Sequence, residues 1–502
     1  MKLLRCATLD GFEAKIVDVE VSFVRALPSF AIVGLAQTSI QESKERIKAA
    51  LSAIDFKFPP QKVTVNLSPS DLRKEGSHFD LPIALLIALQ KSKTDFGDMM
   101  AFGELGLDGR LKDSSTLFAI ILSLAREEVL TKVVIPHASL PKISKIPGLE
   151  LYPVKTLQEA IDLFVSPENT TKVISGSGLE YPHITVNKKK YYYTERFKPD
   201  FKDVKGQEQA KRAALIAACG MHNILFEGSP GCGKSMIAKR MHAILPPMSL
   251  EEILEKAKLE ALEGKDPDFS PVRAFRSPHH TATRASVFGG GSLHARVGEV
   301  SLANHGMLFF DEIPHFPKAL LESLREPLED HHLLISRVNS KVRYQTKFLF
   351  AAAMNPCPCG NLLSTTKECR CSETEILRYK KRLSAPLIDR IDLYVQMAEI
   401  SPQDRSSLDS REMFETVKRL FAIQKKRGQS DLNGKMRDEE IAAHCQLDEA
   451  SQALLDSAVT RFDLSQRAIN KTLKVARTIA DIADHAQIEK SDLLEALQYR
   501  FR

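Results

Sequence analysis

No stretch of this 502-residue chain is apolar for long enough to cross a bilayer as a helix. The most apolar runs, at 81–89 and 117–124, fall short of the ~20 residues required and read as buried core elements. The N-terminus also lacks the apolar core of a secretion signal, since Met1-Lys2-Leu3-Leu4-Arg5 runs directly toward Asp10 and Glu13. A cytoplasmic address without membrane attachment is therefore expected. An excess of one charge is missing too. Lys and Arg number 70 against 64 Asp and Glu, a net charge of +6, so a polyanionic partner has to be argued from local clusters. Internal repeats are absent. The eight cysteines do not form the spread framework of a small disulfide protein, because four of them (Cys357, Cys359, Cys369, Cys371) crowd into one segment.

What is present is an ordinary globular balance, 43% apolar and 27% charged, long enough for about three domains. Residues 1–165 mix short strands with helices: 13–23 and 62–67 have strand patterns, 39–54 and 81–89 helical ones. The polar stretch 166–199 reads as a linker, and its cationic, aromatic piece 188–193 as solvated. From 200 to 400, short apolar runs alternate with amphipathic helical segments, as in a parallel α/β sheet. Over 401–502 the strand signal disappears, and Ile469, Leu473, Ala476, Ala480 and Ala483 recur at helical steps. The fold class is thus multidomain α/β, with an α+β N-terminal domain, a central α/β domain and an all-α C-terminal domain.

The sharpest motif is Gly228-Ser229-Pro230-Gly231-Cys232-Gly233-Lys234-Ser235, preceded by the apolar strand 223–227 and followed by a helical run. Strand, glycine-rich turn and helix in that order are the context a phosphate-binding loop requires. The glycines let backbone N–H groups converge on phosphate oxygens, and the helix N-terminus adds a favourable dipole. Lys234 is expected on the β- and γ-phosphates of ATP, and Ser235 on Mg²⁺. A second apolar strand ends in Asp311-Glu312, where Asp311 would hold the Mg²⁺ shell and Glu312 would activate the attacking water. A third ends in Asn355, placed to position that water. Arg390 and Arg467 are candidate stabilisers of transition-state charge, with surface salt bridges as the alternative reading.

These elements resemble the Mg-chelatase-like AAA+ ATPases of the YifB/ComM type over nearly the whole chain. The resemblance is carried by Val204-Lys205-Gly206-Gln207, Phe275-Arg276-Ser277-Pro278-His279-His280-Thr281, Gly298-Glu299-Val300-Ser301-Leu302-Ala303, Met354-Asn355-Pro356-Cys357-Pro358-Cys359-Gly360 and Val475-Ala476-Arg477-Thr478-Ile479-Ala480-Asp481. It implies a hexameric ring with ATP between subunits. In that ring Arg390 is the arginine finger given to the neighbour and Arg467 the sensor arginine of a C-terminal lid. It also implies a helix-2 insert at 296–302 and a pre-sensor hairpin at 334–344, both facing a central pore. The N-terminal part resembles an S5/Lon-protease-like domain at 66–76 and 102–109. Where a working Lon protease has its serine nucleophile this chain has His78, with Ser77 offset by one, so no proteolysis is expected.

Cys357-Pro-Cys359 and Cys369-Arg-Cys371 offer four thiolates, enough for a tetrahedral structural Zn²⁺. The C-x-C spacing is tighter than the usual knuckle, and free or redox-active thiols are the alternative. For DNA, single-stranded or branched, the implied pore gathers Arg337, Lys341 and Arg343 of the hairpin with Arg296 of the insert. Sixfold repetition would turn these few charges into a basic channel. Arg273, Arg276, His279, His280 and Arg284 form another basic segment, with interface packing as its alternative.

The leading expectation is an ATP-driven DNA motor: a branch-migration helicase for incoming DNA in natural transformation, working beside recombination proteins. The alternatives are a chelatase-like ATPase that remodels a protein partner, and a regulatory ATPase.

Overall fold

The computed structural model describes residues 2–166, 171–176, 178–290, 296–336, 341–401 and 403–500, with only the backbone described for Thr38, Arg296, Ser336 and Lys341. Arg337, expected in the pore, lies outside the described residues, as do the side chains of Arg296 and Lys341. The chain divides into two compact units. One comprises residues 1–180, 257–269 and 338–342, the other 181–256, 270–337 and 343–502.

The first unit is built on an eight-stranded mixed sheet. Its order is Val173–Ile174, Glu150–Val154, Lys132–Pro136, Met99–Ala101, Lys2–Asp10, Glu13–Val24, Lys62–Ser68, Ser29–Val33. The alternation seen in the sequence has a direct cause. Val17, Val19 and Val21 point to one face, and so do Val63, Val65 and Leu67 of the antiparallel neighbour, all buried, with Val19 opposite Leu67. Helices Thr38–Ala53 and Asp80–Ala88 stand where helical spacing placed them. Asp80 is buried and held by Arg46 through two bonds of 2.7 and 3.1 Å, so the charge is paired rather than stranded.

The second unit contains a five-stranded sheet, every pairing parallel, in the order Phe275–Arg276, Met307–Phe310, Leu349–Met354, Ile224–Gly228, Leu393–Met397. Strands buried on both faces carry continuous apolar runs, and Leu349–Met354 is buried at all six positions. The first strand in sequence, Ile224–Gly228, lies between the fourth and fifth, Leu349–Met354 and Leu393–Met397. The carboxyl ends of such strands are where α/β sheets bind ligands.

The helices from Ser410 onward do not form a separate core. Met413, Phe414, Val417 and Leu420 join Phe226, Ile237 and Met241 in one hydrophobic cluster. Helix Gln466–Ile482 is present: Ala476 and Ala480 are fully buried, and Ile469 and Leu473 pack partly buried against the same cluster. Thr472, Val475 and Ile479 widen that face, and Ala483 lies past the helix end. The fully buried Arg477 was not expected from periodicity. Asp481 and the carbonyls of His485 and Ala486 satisfy its guanidinium.

The cationic, aromatic stretch 188–193 differs from its expected solvation. Strands His183–Val186 and Lys189–Tyr192 form a hairpin that pairs with Met248–Ser249. Lys188, Lys189 and Lys190 do face solvent. Tyr192, however, is only 4% exposed, and Tyr191 meets Phe421 edge-on with ring centroids 4.9 Å apart. Aromatic burial outweighs the polar composition here.

Candidate nucleotide site

Three sequence-distant segments meet at the carboxyl edge of the parallel sheet. Ile224–Gly228 feeds the glycine loop and helix Lys234–Ala243, Met307–Phe310 delivers Asp311 and Glu312, and Leu349–Met354 delivers Asn355. Gly231 and Gly233 have φ of +83° and +97°, left-handed values that a side chain would strain and that turn the loop into the helix. Gly228 has a steric reason instead, because a Cβ there would lie 2.6 Å from Cys232 Sγ.

Lys234 Nζ lies across the loop, donating to the carbonyls of Gly228 (2.6 Å) and Ser229 (3.0 Å) and to Asn355 Oδ1 (3.1 Å). Burial pushes its pKa down, while Asp311 and Glu312 act in the opposite sense. Ser235 Oγ donates to Asp311 Oδ2 at 2.6 Å. Glu312 is exposed, has a left-handed φ of +50°, and its amide donates to Asp311 Oδ1 at 3.0 Å. The structure thus brings two bonded pairs to one edge, Lys234–Asn355 and Ser235–Asp311, with Glu312 adjoining Asp311. A hydroxyl and a carboxylate oxygen in contact are hard donors that fit Mg²⁺.

Other residues of this edge had no site role assigned from sequence. Gln207, also left-handed at φ +60°, donates to the carbonyls of Cys232 (3.2 Å) and Ala398 (2.5 Å), tying the loop to the last strand. Glu227, fully buried just before the loop, makes an ionic contact of 3.0 Å with Lys380, without a well-angled hydrogen bond. Burial raises its pKa, and Lys380 opposes that rise. Its position directly before Gly228 was the available signal.

Neither arginine lies in this set. Arg390 donates to Glu329, to the carbonyl of Arg325 at 3.2 Å and to that of Pro386. Arg467 donates to the other oxygen of Glu329. Among the described residues, no hydrogen bond joins either arginine to residues 228–235 of the same chain. They form a second constellation, organised by a carboxylate that sequence reading missed.

The four clustered cysteines converge. Sγ separations are 3.4 Å for Cys357–Cys359, 3.7 Å for Cys357–Cys369 and 3.6 Å for Cys359–Cys369. Cys371 completes a group whose sulfurs all lie within 4.8 Å of one another. All eight cysteines are free thiols, and Cys6, Cys219, Cys232 and Cys445 are buried.

Of the basic residues, Arg343 is exposed in Lys341–Gln345, which pairs with His332–Ser336, and the backbone of Arg296 pairs with Gly290. Arg273 is not available to a polyanion. It is buried within its own chain and bonds the carbonyls of Pro246 and Pro247, both at 2.7 Å, and Glu252. No helix among the described residues is long and apolar enough to cross a membrane.

Comparison with known proteins agrees with this geometry. The family described as magnesium chelatase, subunit ChlI, matches residues 200–405; subunit ChlI of Mg-chelatase matches 19–139, and its C-terminal family 407–500. The competence protein ComM of Haemophilus influenzae is 35% identical over 505 residues, covering 98% of this chain and 95% of that protein. The uncharacterized protein YifB of Escherichia coli is 35% identical over 503 residues, with the same coverage. An uncharacterized protein of Mycobacterium tuberculosis is 31% identical over 502 residues, 98% of this chain and 96% of its own length. The glycine loop with its carboxylate partners, and likeness along almost the entire sequence, lead to one assignment: the chain belongs to the magnesium-chelatase-like YifB/ComM family of AAA+ proteins.

Proposed function

We propose that the protein is an ATP-hydrolysing ring motor that acts on DNA, migrating branched junctions during recombination of incoming DNA. The observation that carries the hydrolytic part is the pair of bonds Lys234–Asn355 and Ser235–Asp311 side by side at the sheet edge. Lys234 leaves its carbonyl partners for the β- and γ-phosphates, and the loop amides cradle them. Ser235 and Asp311 hold Mg²⁺, which when bound neutralises charge developing on the phosphate oxygens. Glu312 accepts the proton of the attacking water, and Asn355 orients that water.

The ring is what the family resemblance implies, and the second constellation is compatible with it. Arg390 and Arg467 sit together on Glu329, and neither bonds the glycine loop of its own chain. Their charge stabilises hydrolysis in the adjoining subunit of a hexamer, where a finger arginine is worth about 10³–10⁵ in rate. DNA as the substrate draws on the name of the Haemophilus relative, a competence protein, and on the basic positions Arg296, Arg337, Lys341 and Arg343. Recombination proteins are its expected partners, in the cytoplasm.

The N-terminal segment is proposed as an S5/Lon-protease-like domain without peptidase activity. Ser77 donates its hydroxyl to Glu104, and Lys74 Nζ bonds the carbonyl of Pro69, so the two form no nucleophile–base dyad. The domain limits proposed are 1–165, a connecting 166–199, an ATPase core of 200–400 and a helical lid of 401–502.

The magnesium chelatase family descriptions favour a second reading, an ATPase that remodels a protein partner. DNA-dependent turnover separates the two. The motor hydrolyses ATP faster with DNA and migrates a labelled four-way junction, and Lys234→Ala and Glu312→Gln abolish both. ATP turnover indifferent to DNA would reject the motor.

A further inference from the structure

The cysteine loop lies beside the nucleotide site and is tied to it at four points. Asn355, the hydrogen-bond partner of Lys234, is two residues before Cys357. Gly360, one residue after Cys359, packs so closely on Pro230 of the glycine loop that a Cβ would lie 2.6 Å from the proline ring. Helix Glu373–Lys380 begins just after Cys371 and is fixed at its start by a Ser372–Glu375 capping box. Near the end of that helix Tyr379 takes the backbone amide of Asn355, and Lys380 faces the buried Glu227 that precedes Gly228.

The sulfur geometry identifies what the loop is built to hold. A tetrahedral ion with Zn–S bonds of about 2.3 Å places its four sulfurs about 3.8 Å apart. The three separations, 3.4 to 3.7 Å, are close to that edge. They are far longer than the roughly 2.0 Å of a disulfide. Each of Cys357, Cys359 and Cys369 is also near two others rather than one, which is a coordination cluster and not a pair of bridges. Iron–sulfur centres insert sulfide between metals and spread their thiolates further apart. Backbone amides already point at the sulfurs: Asn361 and Arg370 donate to Cys359, Cys371 to Cys369, and Cys359 to Cys371. Such bonds spread the negative charge that four thiolates bring to one ion.

We propose that Cys357, Cys359, Cys369 and Cys371 bind one zinc ion, and that this closed site clamps Pro230 and Asn355 in the conformation that binds nucleotide. The second half rests on the proposed nucleotide site. On binding, four S–H protons pass to solvent and four Zn–S bonds form, with no change of oxidation state. The ion has no open position and takes no part in hydrolysis. It fixes the loop between two ligand pairs, so Gly360 stays packed on Pro230 and Asn355 stays bonded to Lys234.

The test uses the full chain, purified without added metal or chelating resin. Elemental analysis is expected to find about one zinc per chain. A mercurial reagent should release it in step with four thiols. Affinity for a fluorescent ATP analogue, measured directly, should fall about tenfold on release, about 1.4 kcal/mol, and return when Zn²⁺ is restored. Cys371→Ser should reproduce the loss. Gly360→Ala keeps all four ligands, and should retain zinc while weakening the analogue by a similar factor. A chain that carries no zinc and takes none up overturns the proposal. Full zinc with affinity unmoved by release and by Gly360→Ala overturns the clamp. Zinc-loaded wild type that binds no nucleotide instead rejects the nucleotide site and leaves the metal site standing.

Discussion

Arg390 and Arg467 share one carboxylate, each donating to a different oxygen of Glu329. They come from separate segments, and only folding brings them together. The shared anion holds two like charges side by side, a costly arrangement unless something uses both. Replacing Glu329 by Ala should therefore slow ATP turnover about tenfold through misplaced arginines, with nucleotide affinity nearly unchanged. Arg390→Ala should cost about 10³ or more in rate with binding retained. Steady-state kinetics beside direct binding measurements check both. Equal losses of affinity and rate would make the trio a structural cluster instead.

In the proposed mechanism the glycine loop serves binding and Glu312 serves chemistry. Lys234→Ala should abolish measurable nucleotide binding. Glu312→Gln should bind normally and turn over about 10²–10⁴-fold more slowly. Filter binding and phosphate release distinguish these outcomes, and normal hydrolysis by Glu312→Gln would remove it as the base.

His78 predicts an acid-sensitive first unit. Its ring is buried, packed near Phe79 and Phe102, and Nε2 lies 2.8 Å from the carbonyl of Ala7. Nδ1 has no partner among the described residues and faces Gly76, where a Cβ would lie 2.6 Å from it. Burial pushes the pKa down from 6.5 to about 4, the bond to Ala7 opposing it. Between those values the unfolded chain holds a proton that the folded chain does not. The contribution is therefore complete above pH 6.5 and is lost as pH falls toward 4, by about 3 kcal/mol for a shift of this size. His78→Gln should show a smaller drop in melting temperature between pH 7 and pH 5 than the wild type. Parallel drops would contradict this assignment.

Replacing Lys341 and Arg343 together by Glu should weaken DNA binding and flatten its dependence on salt, since each phosphate no longer neutralised lowers the slope by about 0.9. ATP affinity should be unaffected. Titrations at several salt concentrations check this, and an unchanged slope would exclude the hairpin from the DNA path.

The strand, glycine turn and helix were legible in the sequence because their determinants are local: an apolar run, glycines at fixed intervals and a helical pattern, all within residues 223–243. Asp311 and Asn355 were legible for the same reason, as polar residues that end apolar strands. Glu329 was not, because it lies 61 and 138 residues from its partners and nothing local marks it. Arg273 read as part of a basic surface but is consumed by backbone carbonyls. Tyr191 and Tyr192 read as solvated because the aromatic ring that Tyr191 meets, Phe421, lies far along the chain. Composition reports what a residue offers, and tertiary structure decides what takes it.

The central claim is that each nucleotide is gripped by one subunit and hydrolysed with the arginine of the next. Mixing Lys234→Ala chains with Arg390→Ala chains tests it most directly, by phosphate release at ring-forming concentrations. Each variant alone should be inactive. The mixture should recover turnover, because a Lys234→Ala chain still lends Arg390 to the intact glycine loop of its neighbour. A mixture no more active than its parts, or a dilute monomer of Arg390→Ala that hydrolyses ATP at the wild-type rate, would contradict the account.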